Sequence, residues 1–95
     1  MEDLDLIRRL RRLRRAVDML QGDLRHGRLN NTLLAEIEKH MDHGIATEPR
    51  CAGLTDPVDH LRESTLTPRP ELLADTIRAC ERLKDAIESI TTRLG

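Results

Sequence analysis

Residues 3–26, DLDLIRRLRRLRRAVDMLQGDLRH, place Leu6, Leu10, Leu13, Val17, Leu20 and Leu24 at alternating spacings of four and three. That repeat keeps a single apolar seam along one side of an α-helix, as in coiled coils and helix bundles. Glu2, Asp3 and Asp5 stand where a helix N-terminus favours acids, Arg25 and His26 fall in the last turn, and Gly27 is placed to close it. A helix over 3–26 follows. Gly22 inside it costs about 1 kcal/mol relative to Ala, which implies a close helix contact or a bend.

Working outward, Asn30 is a capping residue, with Leu29 and Leu34 at the positions of a hydrophobic staple. Leu33, Leu34, Ile37 and Met41 then form a stripe, and the spacing predicts a helix over 31–43 ended by Gly44. Residues 44–56, GIATEPRCAGLTD, show no period and are expected to be a connecting loop. Asp56-Pro57 opens a short helical turn, 57–63, because Pro suits the first helical position. Thr67-Pro68-Arg69-Pro70 breaks the chain again. Over 71–94, Leu72, Leu73, Thr76, Cys80, Leu83, Ile87, Ile90 and Leu94 share one apolar arc of a third long helix.

The chain of 95 residues is expected to form one domain, 1–95, and the 38% of it that is apolar includes no Phe, Tyr or Trp. A core of Leu, Ile, Val, Ala and Met alone is filled most easily by packed helices. The fold class is therefore all-α: two long helices and one or two short ones in a hairpin or bundle. A lone hairpin of two such helices buries too little, so dimerisation is expected to complete the bundle. Its interface would be Leu6, Leu10, Leu13, Val17, Leu20 and Leu24 of the first helix with Leu83, Ile87 and Ile90 of the last.

Sixteen basic residues oppose seventeen acidic ones, but unevenly: residues 1–28 hold eight arginines against five acids, and residues 29–66 are acidic on balance. Arginine outnumbers lysine fourteen to two, a bias that points to a GC-rich bacterial genome. Two unpatterned cysteines make no disulfide framework, the acidic start does not suit a secretory signal, and no run approaches the ~20 apolar residues of a membrane span. A cytoplasmic, reduced protein is expected.

Six arginines crowd residues 8–15. On the heptad, Arg9 and Arg14 flank the seam, where acids across a helix interface would meet them. Arg8, Arg11, Arg12 and Arg15 cover the outer face, which is either a solvated surface or a docking face for an anionic partner. Nucleic acid suits it poorly: there are no aromatic stacking platforms, and no Asn, Gln or Ser stands among these arginines to read base edges. A membrane surface would want Trp, Phe or a wider apolar face. An acidic protein surface fits best.

Glu36, His40 and His43, at i, i+4 and i+7, share a helix side and are the one weak metal candidate, with Cys51 as a conceivable fourth ligand. The expectation is nonetheless no metal and no cofactor, since dipole-favoured histidines at a helix end account for the pattern. Cys80 belongs in the apolar arc, whereas Cys51, on a Gly-containing loop beside Arg50, is expected to be exposed with its pKa modestly lowered. No base is arranged to activate either thiol. In length and in its arginine-bearing helices the chain resembles the three-helix chorismate mutases, in architecture alone: that family's ordered active-site pattern cannot be placed on its residues. The expected function is that of a small non-catalytic interaction or regulatory protein, of the adaptor, chaperone, anti-activator or immunity type. The alternatives are a nucleic-acid-associated protein using the same arginines, and a small bundle enzyme or metal-binding protein.

Overall fold

A computed structural model describes residues 2–66 and 73–95. Among these residues four α-helices run in order, α1 Asp3–Arg25, α2 Asn31–His40, α3 Thr55–Leu66 and α4 Leu73–Leu94. A π-type turn, Met41–Ile45, and a 3₁₀ segment, Pro49–Leu54, join α2 to α3. No strand occurs among the described residues.

Helix α1 ends as its sequence requires. Gly27 takes φ +76, Arg28 N–H returns to the Asp23 carbonyl at 3.0 Å, and Gly27 N–H to that of Leu24 at 2.9 Å. This paired closure needs a left-handed residue, which glycine adopts without steric cost. The chain then reverses into α2, where the Asn30 side chain accepts from Leu33 N–H at 3.2 Å, and Leu29 and Leu34 pack partly buried on the core.

α2 gives way at residue 40 rather than 43. His43 leaves helical geometry (φ −94, ψ 48), Gly44 follows at φ +97, and Ala46 N–H reaches back five residues to the Met41 carbonyl. The expected loop 44–56 is largely helical instead. Glu48 caps the 3₁₀ segment with Pro49 in its first turn, and α3 starts at Thr55 and runs to Leu66 instead of spanning 57–63. The reason is burial: Cys51, Leu54, Val58 and Leu61, at spacings of three, four and three, all point into the core. Proline at 57 is tolerated because first-turn N–H groups have no intrahelical acceptor. Residues 67–72, including the Pro68/Pro70 break and the expected start of the last helix at 71, lie outside the described residues.

α1 packs chiefly against α4, with α2 and α3 closing the remaining sides of an elongated bundle of 41 × 20 × 19 Å. Leu6, Leu10, Leu13, Val17 and Leu20 of α1 are 0% exposed, as are Leu83 and Ile87 of α4. Leu24 and Ile90 are also buried. All nine residues expected between two copies of the chain thus lie in the core of one copy. The expectation gave α3 only the short span 57–63, whereas α3 and the 3₁₀ segment run over 49–66 and bury Cys51, Leu54, Val58 and Leu61 in the same core.

Polar contacts line the α1–α4 junction. Arg14 pairs with Glu88 at 3.3 Å and Lys84 with Asp18 at 3.1 Å. The buried Gln21 amide donates to the Ile77 carbonyl at 3.1 Å and to Glu81 at 2.8 Å, while its own oxygen has no protein partner among the described residues. Gly22 makes no close helix contact, since a Cβ there would meet nothing within 4 Å. Between α2 and α3, Arg62 grips Glu38 through two nitrogens, at 2.5 and 2.6 Å.

Candidate functional site

The six arginines of residues 8–15 divide by position. Arg9 and Arg14, beside the seam, are engaged within the chain: Arg14 with Glu88, Arg9 by donating to the His43 carbonyl in the turn that closes α2. Arg8, Arg11, Arg12 and Arg15 are exposed, and none makes an ion pair or side-chain hydrogen bond among the described residues. They form a compact quadrilateral on the outside of α1, with 8–12 and 11–15 one turn apart and 8–11 and 12–15 along its other edges. Leu4 and Met19, exposed to 56% and 52%, stand on the same face beyond either end of the cluster.

Arg8 and Arg12 also form one wall of a groove of about 620 Å³ between α1 and α2. Glu36, Lys39, His40 and His43 supply the other wall, with Asp5 and Arg9 completing the lining. A shallower depression continues past Arg12 to Arg15 and Met19. The outer arginines and the Glu36/His40/His43 cluster, singled out separately in the sequence, therefore meet in one place. Lys39, Arg9 and Asp5 were not singled out as part of a site. Their signal was the tight reversal at residues 27–30, which returns residues near 40 to the level of residues 9–12. Arg11, at the far edge of the quadrilateral from this groove, lines a depression with Arg14, Arg15, Asp18 and Glu88 beside α4.

The three candidate metal ligands do not converge. His40 Nε2 pairs with Glu36 at 3.5 Å. His43, carried off the helical path, donates from Nδ1 to the Lys39 carbonyl at 2.6 Å; since a carbonyl only accepts, Nδ1 holds the proton. Cys51 stands on the 3₁₀ segment with its side chain buried in the core, and cannot complete such a set. Among the described residues no group of three His, Cys, Asp or Glu side chains is placed to hold a metal ion.

Neither thiol is activated. Burial raises the Cys51 pKa, with Glu48 adding to the effect and Arg50 opposing it only weakly, so the expected lowering by Arg50 gives way to desolvation. Cys80, at the centre of the α4 stripe, is pushed up to about 12 by burial. A thiol held protonated is a poor nucleophile.

An α-helical bundle presenting an exposed cationic face and a mixed-charge groove is the class that fold and site define. No known protein family, no curated protein sequence and no solved structure matches the chain. Among the described residues no helix is long and apolar enough to cross a membrane.

Proposed function

We propose that the protein is a non-catalytic binding protein, of the adaptor or regulatory kind, whose α1 face engages an acidic surface on a partner protein. The observation that carries this is the division of the arginines. The two beside the seam are engaged inside the chain, Arg14 by Glu88 and Arg9 by a backbone carbonyl, whereas four neighbours on the outer face make no ion pair or side-chain hydrogen bond among the described residues. Like charges three or four residues apart on a helix destabilise it, and an acidic partner would turn that repulsion into attraction. Leu4 and Met19, at the ends of the patch, offer the apolar contacts that such interfaces combine with arginine. Because one chain covers both long seams, the core needs no second copy, and light scattering should return a mass near 10.9 kDa.

The test is capture from an extract of cells that express the protein, comparing the native chain with a variant carrying Arg8, Arg11, Arg12 and Arg15→Gln. A defined protein retained stoichiometrically by the native chain, lost with the variant and unaffected by nuclease, is the expected result. Equal retention by both baits would remove the proposal, and retention that vanishes with nuclease would transfer the face to nucleic acid.

A further inference from the structure

The α1–α2 groove holds more than an extension of the outer face. We propose that it is a binding site for a phosphoryl group, gripped by Arg8 and Arg12 from α1 and by Lys39 from α2. Four permanent cations line the groove against two carboxylates. Of the cations, Arg9 is committed to the His43 carbonyl and acts as fixed positive charge at the base of the groove. Of the carboxylates, Glu36 lies 3.5 Å from His40 Nε2, and Asp5 stands three residues before Arg8 on α1. That leaves Arg8, Arg12 and Lys39 with unspent donors on two facing walls, none with an ion-pair partner among the described residues.

The arrangement favours a phosphoryl group over a carboxylate for reasons of shape and charge. A single arginine fork satisfies both oxygens of a planar carboxylate. Two forks one turn apart, facing a lysine across a groove, suit a tetrahedral group with three terminal oxygens and close to two negative charges. The volume, about 620 Å³, is generous for inorganic phosphate and falls in the range of small-ligand sites. It admits a small phosphate ester or a phosphorylated side chain with its neighbours. Without Phe, Tyr or Trp in the chain, no large aromatic ring is available to stack a nucleobase, so affinity must come chiefly from the phosphoryl end. Arg8 and Arg12 belong to both this groove and the acidic-partner face, and Arg11, which does not line the groove, is the residue that tells the two readings apart.

Calorimetry at fixed ionic strength tests it, with inorganic phosphate, glycerol 3-phosphate and a phosphoserine peptide as probes and glutarate as the dicarboxylate control. The expected result is saturable one-to-one binding of phosphoryl probes and much weaker binding of glutarate. Arg12→Gln and Lys39→Gln should each weaken phosphoryl binding by about tenfold, the scale of one charge-assisted hydrogen bond, while Arg11→Gln leaves it unchanged. Tighter binding of glycerol 3-phosphate marks a free metabolite ester as the source, and tighter binding of the peptide marks a phosphorylated protein; both uphold the site. Absence of saturable binding by every phosphoryl probe, equal binding of glutarate, or an Arg11→Gln loss matching that of Arg12→Gln would overturn it. Circular dichroism of each variant guards against unfolding, and two substitutions on different helices keep the result independent of either one. Loss of phosphoryl binding in Arg12→Gln together with unchanged protein capture by the quadruple variant would reject the partner reading and leave this site standing.

Discussion

Replacing Arg8, Arg11, Arg12 and Arg15 by Gln should make the folded chain more stable while it removes the binding face. Counting along α1, these four arginines take part in six like-charge pairs three or four residues apart: 8–11, 8–12, 9–12, 11–14, 11–15 and 12–15. Only Asp5–Arg8 and Arg15–Asp18 oppose them, and Asp18 is already engaged by Lys84. At roughly 0.2–0.5 kcal/mol per pair, the excess of repulsion amounts to about 1–2 kcal/mol. Gln has a helix propensity close to that of Arg, so little is lost in exchange. For a domain of this size that gain corresponds to a rise of roughly 4–16 °C in melting temperature. The assay is urea unfolding followed by circular dichroism at low salt and again at 1 M salt, where a Debye length near ~3 Å screens exposed charges. The difference between variant and native chain should be largest at low salt and shrink at high salt. A variant less stable than the native chain at both salts would refute the reasoning, because it would mean that the outer arginines have partners in the folded chain.

Gly22→Ala should raise stability by about 1 kcal/mol, since the position is helical and a Cβ meets nothing within 4 Å; a fall in the urea midpoint would show that the glycine serves a contact or bend. Both thiols should react slowly with a maleimide or disulfide reagent in the native state at pH 8 and at once in denaturant, because both are buried with raised pKa values; a fast native phase assigned to Cys51 would contradict its burial. The Glu38 carboxyl is held below its usual range by the two-pronged contact with Arg62. A depressed folded pKa means that the contribution is complete above the unfolded value of about 4.5 and fades as pH falls through the folded one. Acid unfolding of Glu38→Gln should accordingly be less steep below pH 4.5 than that of the native chain, and identical profiles would count against the contact.

The long helices were legible because each obeys one dominant period. The α1 seam, its Gly27 closure and the Asn30 cap are local features, determined within a few residues by hydrogen bonds the backbone must make. The segment from 44 to 66 was misread because Gly44, Pro49, Gly53 and Pro57 are ordinary punctuation marks. The spacing of Ile45, Cys51, Leu54, Val58 and Leu61, which buries them all, runs through that punctuation and counts only against the α1–α4 surface it covers. Reading α3 as one short turn over 57–63 left the long seams looking barer than they are within one chain. At the site, the outer arginines could be assigned from the heptad alone. Their meeting with Lys39 and His40 depended on how α2 folds back, and the failure of His43 to join Glu36 and His40 depended on a departure from helical geometry at residue 43 itself.

Gln21 bears on a different question, which is how a nearly featureless aliphatic seam chooses one alignment. Leucines and isoleucines spaced three and four apart interdigitate almost as well after a slide of one turn, so apolar contact alone discriminates weakly between sliding positions. The Gln21 amide is 1% exposed and finds its acceptors, the Ile77 carbonyl and the Glu81 carboxylate, at one level of α4 only. Shifted by a turn, it would carry an unpaired amide into hydrocarbon, a loss of several times thermal energy. A single polar side chain of this kind acts as a detent, as buried asparagines do in coiled coils. Its oxygen has no protein partner among the described residues, while its amide holds α1 at one height, and with it the arginines against the groove.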